Sequence, residues 1–238
     1  MRLAGHDPRG CYSRCMKSQR LAVLIVLLPV LTGCKSGGPN ADAPRESSRR
    51  SSARSAGPTS GFDFYLLNLS WSPEFCYSHP ESAECAIHPG FVLHGLWPEN
   101  TDGTYPEHCS DAPGPADPSA FKDIYPDAGL LEHEWETHGT CSGLSANAFF
   151  SGARQAFQSI VIPPRFKAVG ASTSVSPDQI VDSFSSSNPA APDGGFVVSC
   201  GHNYLTAVEV CLDKSLHPMA CPAAIRSCRA RVVRITPP

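Results

Sequence analysis

Residues 90–99 read GFVLHGLWPE, and the first six of them, GFVLHG at 90–95, form a short apolar run that reaches a histidine at position 94. Short apolar runs bounded by turn residues are typical of buried β-strands. Residues 62–69, with the sequence FDFYLLNL, are similarly rich in aromatic and aliphatic side chains, and residues 195–200 and 205–212 alternate like two paired strands. We therefore predict strands near both ends of the region from residue 61 to residue 238.

Helices are predicted between these strands. Residues 130–138 carry apolar side chains at helical spacing and stop at Gly139, and residues 146–160 repeat phenylalanine in the same way. A third helix is predicted from Ser176, a good N-cap, with Pro177 at its first position. Strands on both sides of a group of helices predict an α+β fold, in which helices flank a central antiparallel β-sheet.

The N-terminus has the features of an export signal. An apolar run at 21–31 is too short to span a bilayer, Arg14, Lys17 and Arg20 precede it, and it ends in LTGC at 31–34. LTGC resembles the bacterial lipobox, so we predict a signal peptide over 1–34, with Met16 as the true start and lipidation at Cys34. The alternative is an ordinary secretory signal with an incidental cysteine.

Residues 35–60 consist largely of Ser, Arg, Gly, Pro and Ala with no apolar period, which predicts a disordered tether between the anchor and the domain. Lys35, rather than aspartate, follows the lipobox cysteine, which favours the outer membrane. We therefore expect a periplasmic or outer-membrane-anchored lipoprotein, or a secreted protein under the alternative signal. The lipid anchor is the only membrane attachment that we expect.

The charge of the chain is uneven. The formal net charge is -3 overall, but residues 61–238 contain nine basic and nineteen acidic residues and carry -10. An acidic domain argues against a non-specific polyanion binder that relies on a basic surface.

The number of cysteines indicates whether the domain folds in an oxidising compartment. Residues 61–238 contain eight cysteines, and an even number in an exported domain predicts four disulfides. The gaps between them range from 7 to 59 residues, which does not fit the paired spacing of a zinc site. Counting alone leaves the connectivity open.

Histidines are concentrated in two segments, GFVLHGLWPE at 90–99 and HEWETHGTC at 133–141. Glu134 and His138 are four residues apart and share a helix face, where a carboxylate can orient an imidazole. His133 and His138 are five apart, about 140° around an ideal helix, so the zinc motif HExxH is not matched. We expect no metal.

Two histidines from separate segments suit concerted proton transfer, in which a neutral imidazole takes a proton and a charged one gives a proton. RNA cleavage needs such a pair. The 2′-hydroxyl of the RNA is the nucleophile, so a base must remove its proton and an acid must protonate the 5′-oxygen that leaves. The spacing of these histidines in the sequence does not by itself identify RNA as the substrate.

The segments FxLHGLWP at 91–98 and HEWxxHGTC at 133–141 are very similar to the two active-site segments of the ribonuclease T2 family. The stretch from Phe62 to Cys76 resembles that family's first strand, and residues 211–228 resemble its C-terminal end. The resemblance covers roughly residues 61–238. It implies an α+β fold and an endonuclease that uses neither metal nor cofactor and cleaves single-stranded RNA. The products form through a 2′,3′-cyclic phosphate and end in a 3′-phosphate. We expect a monomer.

The resemblance also implies a role for individual residues. It makes His138 the general base, His94 the general acid and Glu134 the support of the transition state. Substrate contacts are implied for His133 at the phosphate, Trp97 as a stacking wall, and Glu99 and Tyr105 at the base. The implied disulfides are Cys76–Cys85, Cys109–Cys141, Cys200–Cys228 and Cys211–Cys221.

One position departs from the family pattern, because Thr137 stands where the family usually has lysine. Loss of one such preorganised donor typically lowers a rate by about 10²–10³, so we expect a slower enzyme unless another cation, such as Lys122, takes this role. The rival hypotheses are a binding or toxin-like module that has lost catalysis and a zinc hydrolase. Eight histidines in an acidic domain predict a pH optimum on the acid side of neutrality.

Overall fold

The structure is a computed structural model and describes residues 61–87, 90–167 and 169–238. The predicted signal peptide, lipobox and tether lie outside these described residues. Within them, no helix has both the length and the apolar character that a bilayer crossing requires.

The described part of the chain contains six strands and four α-helices. The strands are β1 Phe64–Trp71, β2 Phe91–Glu99, β3 Thr173–Val175, β4 Phe196–Gly201, β5 Tyr204–Leu212 and β6 Val233–Ile235. The helices are α1 Ser72–Ser78, α2 Ala128–Thr137, α3 Ala146–Ser159 and α4 Pro177–Ser187, and four short 3₁₀ segments connect them. The α+β fold with a largely antiparallel sheet is confirmed.

The sheet has the order β2-β1-β5-β6-β3, and β4 pairs with β5. All pairings are antiparallel except that between β5 and β6. Strand β2 lies at an edge, which explains how it continues through Pro98, because proline cannot donate a ladder hydrogen bond and is tolerated at edges. This extension beyond the predicted apolar run places Trp97 and Glu99 on a strand.

The two faces of the sheet are covered differently. Side chains from one face of β1, such as Leu67, pack with Trp135 of α2, Phe149 of α3 and Phe184 of α4 in the main core. On the opposite face Phe64 and Leu66 form a smaller cluster with Cys211, and Trp97, Met219, Cys221 and Ile225 pack against it. The second cluster therefore connects an edge strand to the irregular C-terminal segment.

Four disulfides join Cys76 to Cys85, Cys109 to Cys141, Cys200 to Cys228 and Cys211 to Cys221, the same pairings that the family resemblance implies. Bridges of this kind typically stabilise a domain by about 2–4 kcal/mol each. The second bridge holds the loop before α2 against the turn after it, and the last two hold the C-terminal segment against β4 and β5.

Several elements were not predicted. Helix α1 has no side-chain N-cap hydrogen bond, and β3 and β6 are three residues each. Such short elements form through tertiary contacts rather than local propensity. By contrast, α4 begins with the predicted Ser176 cap, which Gln179 completes as a capping box.

Candidate active site

A β-bulge in β2 aims His94. Asn68 pairs with Gly95 and Leu69 pairs with Leu93, so His94 is the extra residue between two pairs. A bulge of one residue reverses the alternation of side chains beyond it. His94 and Trp97, three residues apart, consequently line the same groove, and their ring centroids are 5.6 Å apart.

Helix α2 carries a buried carboxylate to this strand. The Glu134 side chain is fully buried, its Oε1 lies 3.5 Å from His94 Nε2, and its Oε2 accepts a hydrogen bond of 2.9 Å from Trp97 Nε1. Gly95 makes this approach feasible, because a Cβ atom there would overlap both the Glu134 carboxylate and the indole nitrogen. The Glu134 carboxyl group of α2 therefore contacts two side chains of β2, His94 and Trp97.

His138 lies at the C-terminal end of the same helix, where its backbone N–H donates to the carbonyl of Glu134. Its ring centroid is 5.2 Å from Trp97 and 6.2 Å from the exposed His133, whose Nδ1 is 3.4 Å from the Thr137 hydroxyl. The structure thus brings five predicted site residues together: His94, Trp97, His133, Glu134 and His138.

The two residues predicted to contact a base lie further along the chain. Glu99 is buried at the end of β2 opposite Phe64, and Tyr105 is 55% exposed in the loop that follows. Burial, followed by the nearby charge of Glu209, raises the pKa of Glu99 to about 7. Lys122, named as a substitute cation, lines a different pocket, with Leu130 and Phe157.

The chain matches the Ribonuclease T2 family over residues 62–221. The protein belongs to the ribonuclease T2 family. It is similar to a ribonuclease of Aeromonas hydrophila, with 46% identity over 101 residues, which are 42% of this chain and 46% of the relative. Ribonuclease DdI of Dictyostelium discoideum is 29% identical over 186 residues, which cover 68% of this chain and 78% of that protein. The chain thus spans about half the length of the Aeromonas relative.

Solved structures resemble this T2 domain as well. An RNase-related protein from Calystegia sepium superimposes with a TM-score of 0.57 at 25% identity, over 74% of this chain and 97% of that one. Ribonuclease MC1 from the seeds of bitter gourd gives a TM-score of 0.58 at 21% identity, over 72% of this chain and 99% of that one. At that identity the second likeness shows the fold alone.

Burial sets the protonation of the T2 site. It raises the pKa of Glu134 to about 8, against the opposing hydrogen bond from Trp97. It lowers the pKa of His138 to about 4, helped by the positive charges of His133, His94 and His108. Burial and then His133 also lower the pKa of His94. At neutral pH His138 is therefore free to accept a proton, and Glu134 carries one.

Three buried polar atoms at and beside the site have no hydrogen-bond partner among the described residues: Glu134 Oε1, His138 Nδ1 and Tyr125 Oη. Buried polar groups are normally paired, so unpaired ones in a T2 site point to a ligand or a water. Burial and the charge of Glu134 hold the pKa of Tyr125 well above its usual range. Sequence reasoning missed Tyr125, because a lone aromatic residue before Pro126 carries no chemical signature.

His133 and His138 approach each other although an ideal helix would place them about 140° apart. Ligand atoms of His133, Glu134 and His138 lie within 4.8 Å of one another. His138 is the C-cap, with φ -112° and ψ -47°, so it departs from the ideal helix on which the 140° separation was calculated. These three residues are therefore a candidate set of metal ligands.

Proposed function

We propose that the protein is an endoribonuclease that cleaves single-stranded RNA without a metal or a cofactor. In this proposal His138 is the general base, His94 is the general acid, and Glu134 supports the transition state. The observation that carries the proposal is the position of the Glu134 carboxyl group, buried on the same helix face as His138 and 3.5 Å from the imidazole of His94.

The chemistry balances without further groups. His138 takes the proton of the 2′-hydroxyl, the 2′-oxygen attacks phosphorus, the bond from phosphorus to the 5′-oxygen breaks, and His94 gives that oxygen its proton. Water then opens the 2′,3′-cyclic phosphate to a 3′-phosphate with the two roles exchanged. Proton transfer by positioned side chains typically contributes about 10²–10⁴-fold to a rate.

Glu134 acts in its protonated form. With a pKa of about 8, it carries a proton at neutral pH and can donate a hydrogen bond to a phosphoryl oxygen, while its other oxygen is held by Trp97. A donor aimed at developing charge in a water-poor site is worth much more than one in water. His133, exposed beside His138, would contact the same phosphate.

The surroundings of the site suit nucleotides. A groove of 390 Å³ runs from His94 and Trp97 over the polar face of the sheet, where it meets Asn68, Ser70 and Ser199. Stacking of a base on an aromatic ring such as Trp97 is worth about 1–3 kcal/mol. Glu99 and Tyr105 remain proposed base contacts.

Export is also part of the proposal. Four disulfides suit an oxidising compartment outside the cytoplasm. We retain the signal peptide over 1–34, lipidation of Cys34, the tether over 35–60 and the monomeric state as proposals. Mass spectrometry of the mature N-terminus after expression in a bacterium tests the first two, because an acylated cysteine at residue 34 is expected.

The decisive experiment is cleavage of a short RNA in the presence of EDTA. The wild-type protein and the control variant His217→Ala, which removes an exposed histidine paired with Asp213, should give products that carry a cyclic phosphate. His138→Ala should be at least about 100-fold slower. Activity that EDTA abolishes and zinc restores would favour a metal hydrolase, and RNA binding without cleavage would favour a module that has lost catalysis.

A further inference from the structure

Positive charge in the domain is concentrated at its C-terminal end. Residues 61–213 contain four basic and nineteen acidic residues, whereas residues 214–238 contain five basic residues and no acidic one. We call residues 214–238 the C-terminal basic segment. A net charge of +5 on 25 residues stands out against the acidic remainder.

The C-terminal basic segment is fixed to the sheet. Cys221 and Cys228 are disulfide-bonded to Cys211 and Cys200, and the Cys228 backbone N–H donates to Val198 O at 2.8 Å. The Ser227 hydroxyl in turn accepts from the Val198 N–H at 3.0 Å. The backbone at residues 227 and 228, between Arg226 and Arg229, is therefore held against β4.

The same segment reaches the active site through Trp97. Ile225 packs in the small cluster to which Trp97 also belongs, and Ala224 lies against the loop at Gly103. Trp97 touches Glu134 and His138 as well. Arg226 thus directly follows a residue that packs against the same small cluster as Trp97.

Three arginines of the segment are available to a ligand. Arg226, Arg229 and Arg231 are exposed, and no carboxylate in the described part of the chain forms an ion pair with any of them. Among the residues that the structure describes, the Arg226 guanidinium donates only to Ala223 O, in its own turn. The guanidinium group binds phosphate through paired donors, so exposed arginines in series suit a chain of phosphodiesters.

We propose that Arg226, Arg229 and Arg231 form a phosphate-binding track that holds single-stranded RNA beyond the cleaved bond, starting at Trp97. The inference rests on the proposed function for the identity of the chain that is bound. It explains how an acidic domain can hold a polyanion, because the track supplies local positive charge where the substrate leaves the site.

The test is binding of a labelled 20-mer of 2′-O-methyl RNA, which has no free 2′-hydroxyl to react, measured by fluorescence anisotropy between 50 and 200 mM salt. Arg226→Gln with Arg229→Gln should raise the Kd about tenfold at low salt. The slope of log Kd against log salt should fall by about 1.4, at about 0.7 per charge for single strands. The control, Arg165→Gln with Lys167→Gln, removes the same charge elsewhere and should bind like the wild type.

Cleavage of a dinucleoside monophosphate, too short to reach the track, separates the two proposals. Both double variants should cleave it at the wild-type rate. If the arginine variant binds the 20-mer like the wild type, or if the control loses affinity equally, the track is refuted while the nuclease stands. If the wild type cleaves nothing but the arginine variant alone loses affinity, the nuclease is refuted and the track stands.

Discussion

Replacing Glu134 with glutamine should change how the stability of the domain depends on pH. The carboxyl group is fully buried, and burial raises its pKa from an ordinary 4.5 to about 8 in the folded protein. Between these two values the folded state keeps a proton that the unfolded state has lost. Stability therefore falls as the pH rises from about 4.5 to about 8, and the glutamine variant, which does not titrate, escapes this loss.

The expected size follows from the two pKa values of Glu134. At about 1.4 kcal/mol per pKa unit, the part of the loss that falls between pH 6.5 and pH 8.5 is about 2 kcal/mol. In this window His138, with its pKa lowered to about 4, is neutral in the folded state of every protein compared, so its contribution cancels from the comparison. Glu99, with a pKa of about 7, titrates equally in both proteins and cancels from the comparison.

The assay is urea unfolding of the wild type, Glu134→Gln and the control Glu132→Gln at pH 6.5 and pH 8.5, with the disulfides intact. The free energy of unfolding of the wild type and of the control should decrease by about 2 kcal/mol more than that of Glu134→Gln. The control removes an exposed carboxylate from the same helix. Equal decreases in all three proteins would refute the buried, proton-carrying Glu134 on which the proposed mechanism relies.

Four further outcomes are expected. Gly95→Ala should lower the free energy of unfolding by about 1–3 kcal/mol and should lower kcat/KM at least tenfold, because the new methyl group overlaps the site. The control Gly61→Ala adds a methyl group in open space and should change neither quantity. Urea titration and an RNA cleavage assay measure the two effects. Tyr125→Phe removes a buried hydroxyl that has no hydrogen-bond partner among the described residues, and it should raise the free energy of unfolding by about 1 kcal/mol; a decrease would reveal a buried water bonded to it. The kcat/KM for RNA should be highest below pH 7, because His94 must hold a proton although burial lowers its pKa, and a maximum above pH 8 would contradict this assignment. Thr137→Lys should raise kcat by about tenfold or more, through a cation at the phosphate; an unchanged kcat would mean that another group already supplies that charge.

The sequence predicts those parts of the fold that local chemistry controls. The helix over 130–138, the strands near 62–69 and 205–212, and the cap at Ser176 follow from periodicity and capping, and the structure has each within a few residues. Short elements such as α1 and β6 do not follow, because their backbone is held by neighbours far away in the sequence. The separation of about 140° between His133 and His138 fails for a related reason: helix α2 ends at Thr137, so His138 does not lie on an ideal helix.

The least predictable feature of the site is also the one on which the proposed chemistry depends. By strict alternation, His94 and Trp97 would lie on opposite faces of β2, and one of them would point into the main core. The bulge opposite β1 places both in the groove, and the missing side chain of Gly95 admits the Glu134 carboxyl group between them. A bulge depends on the pairing register of two strands, which no single strand specifies. The motif HGLW therefore identifies the side chains of His94 and Trp97. The register of β1 against β2 decides whether they can act on one phosphate.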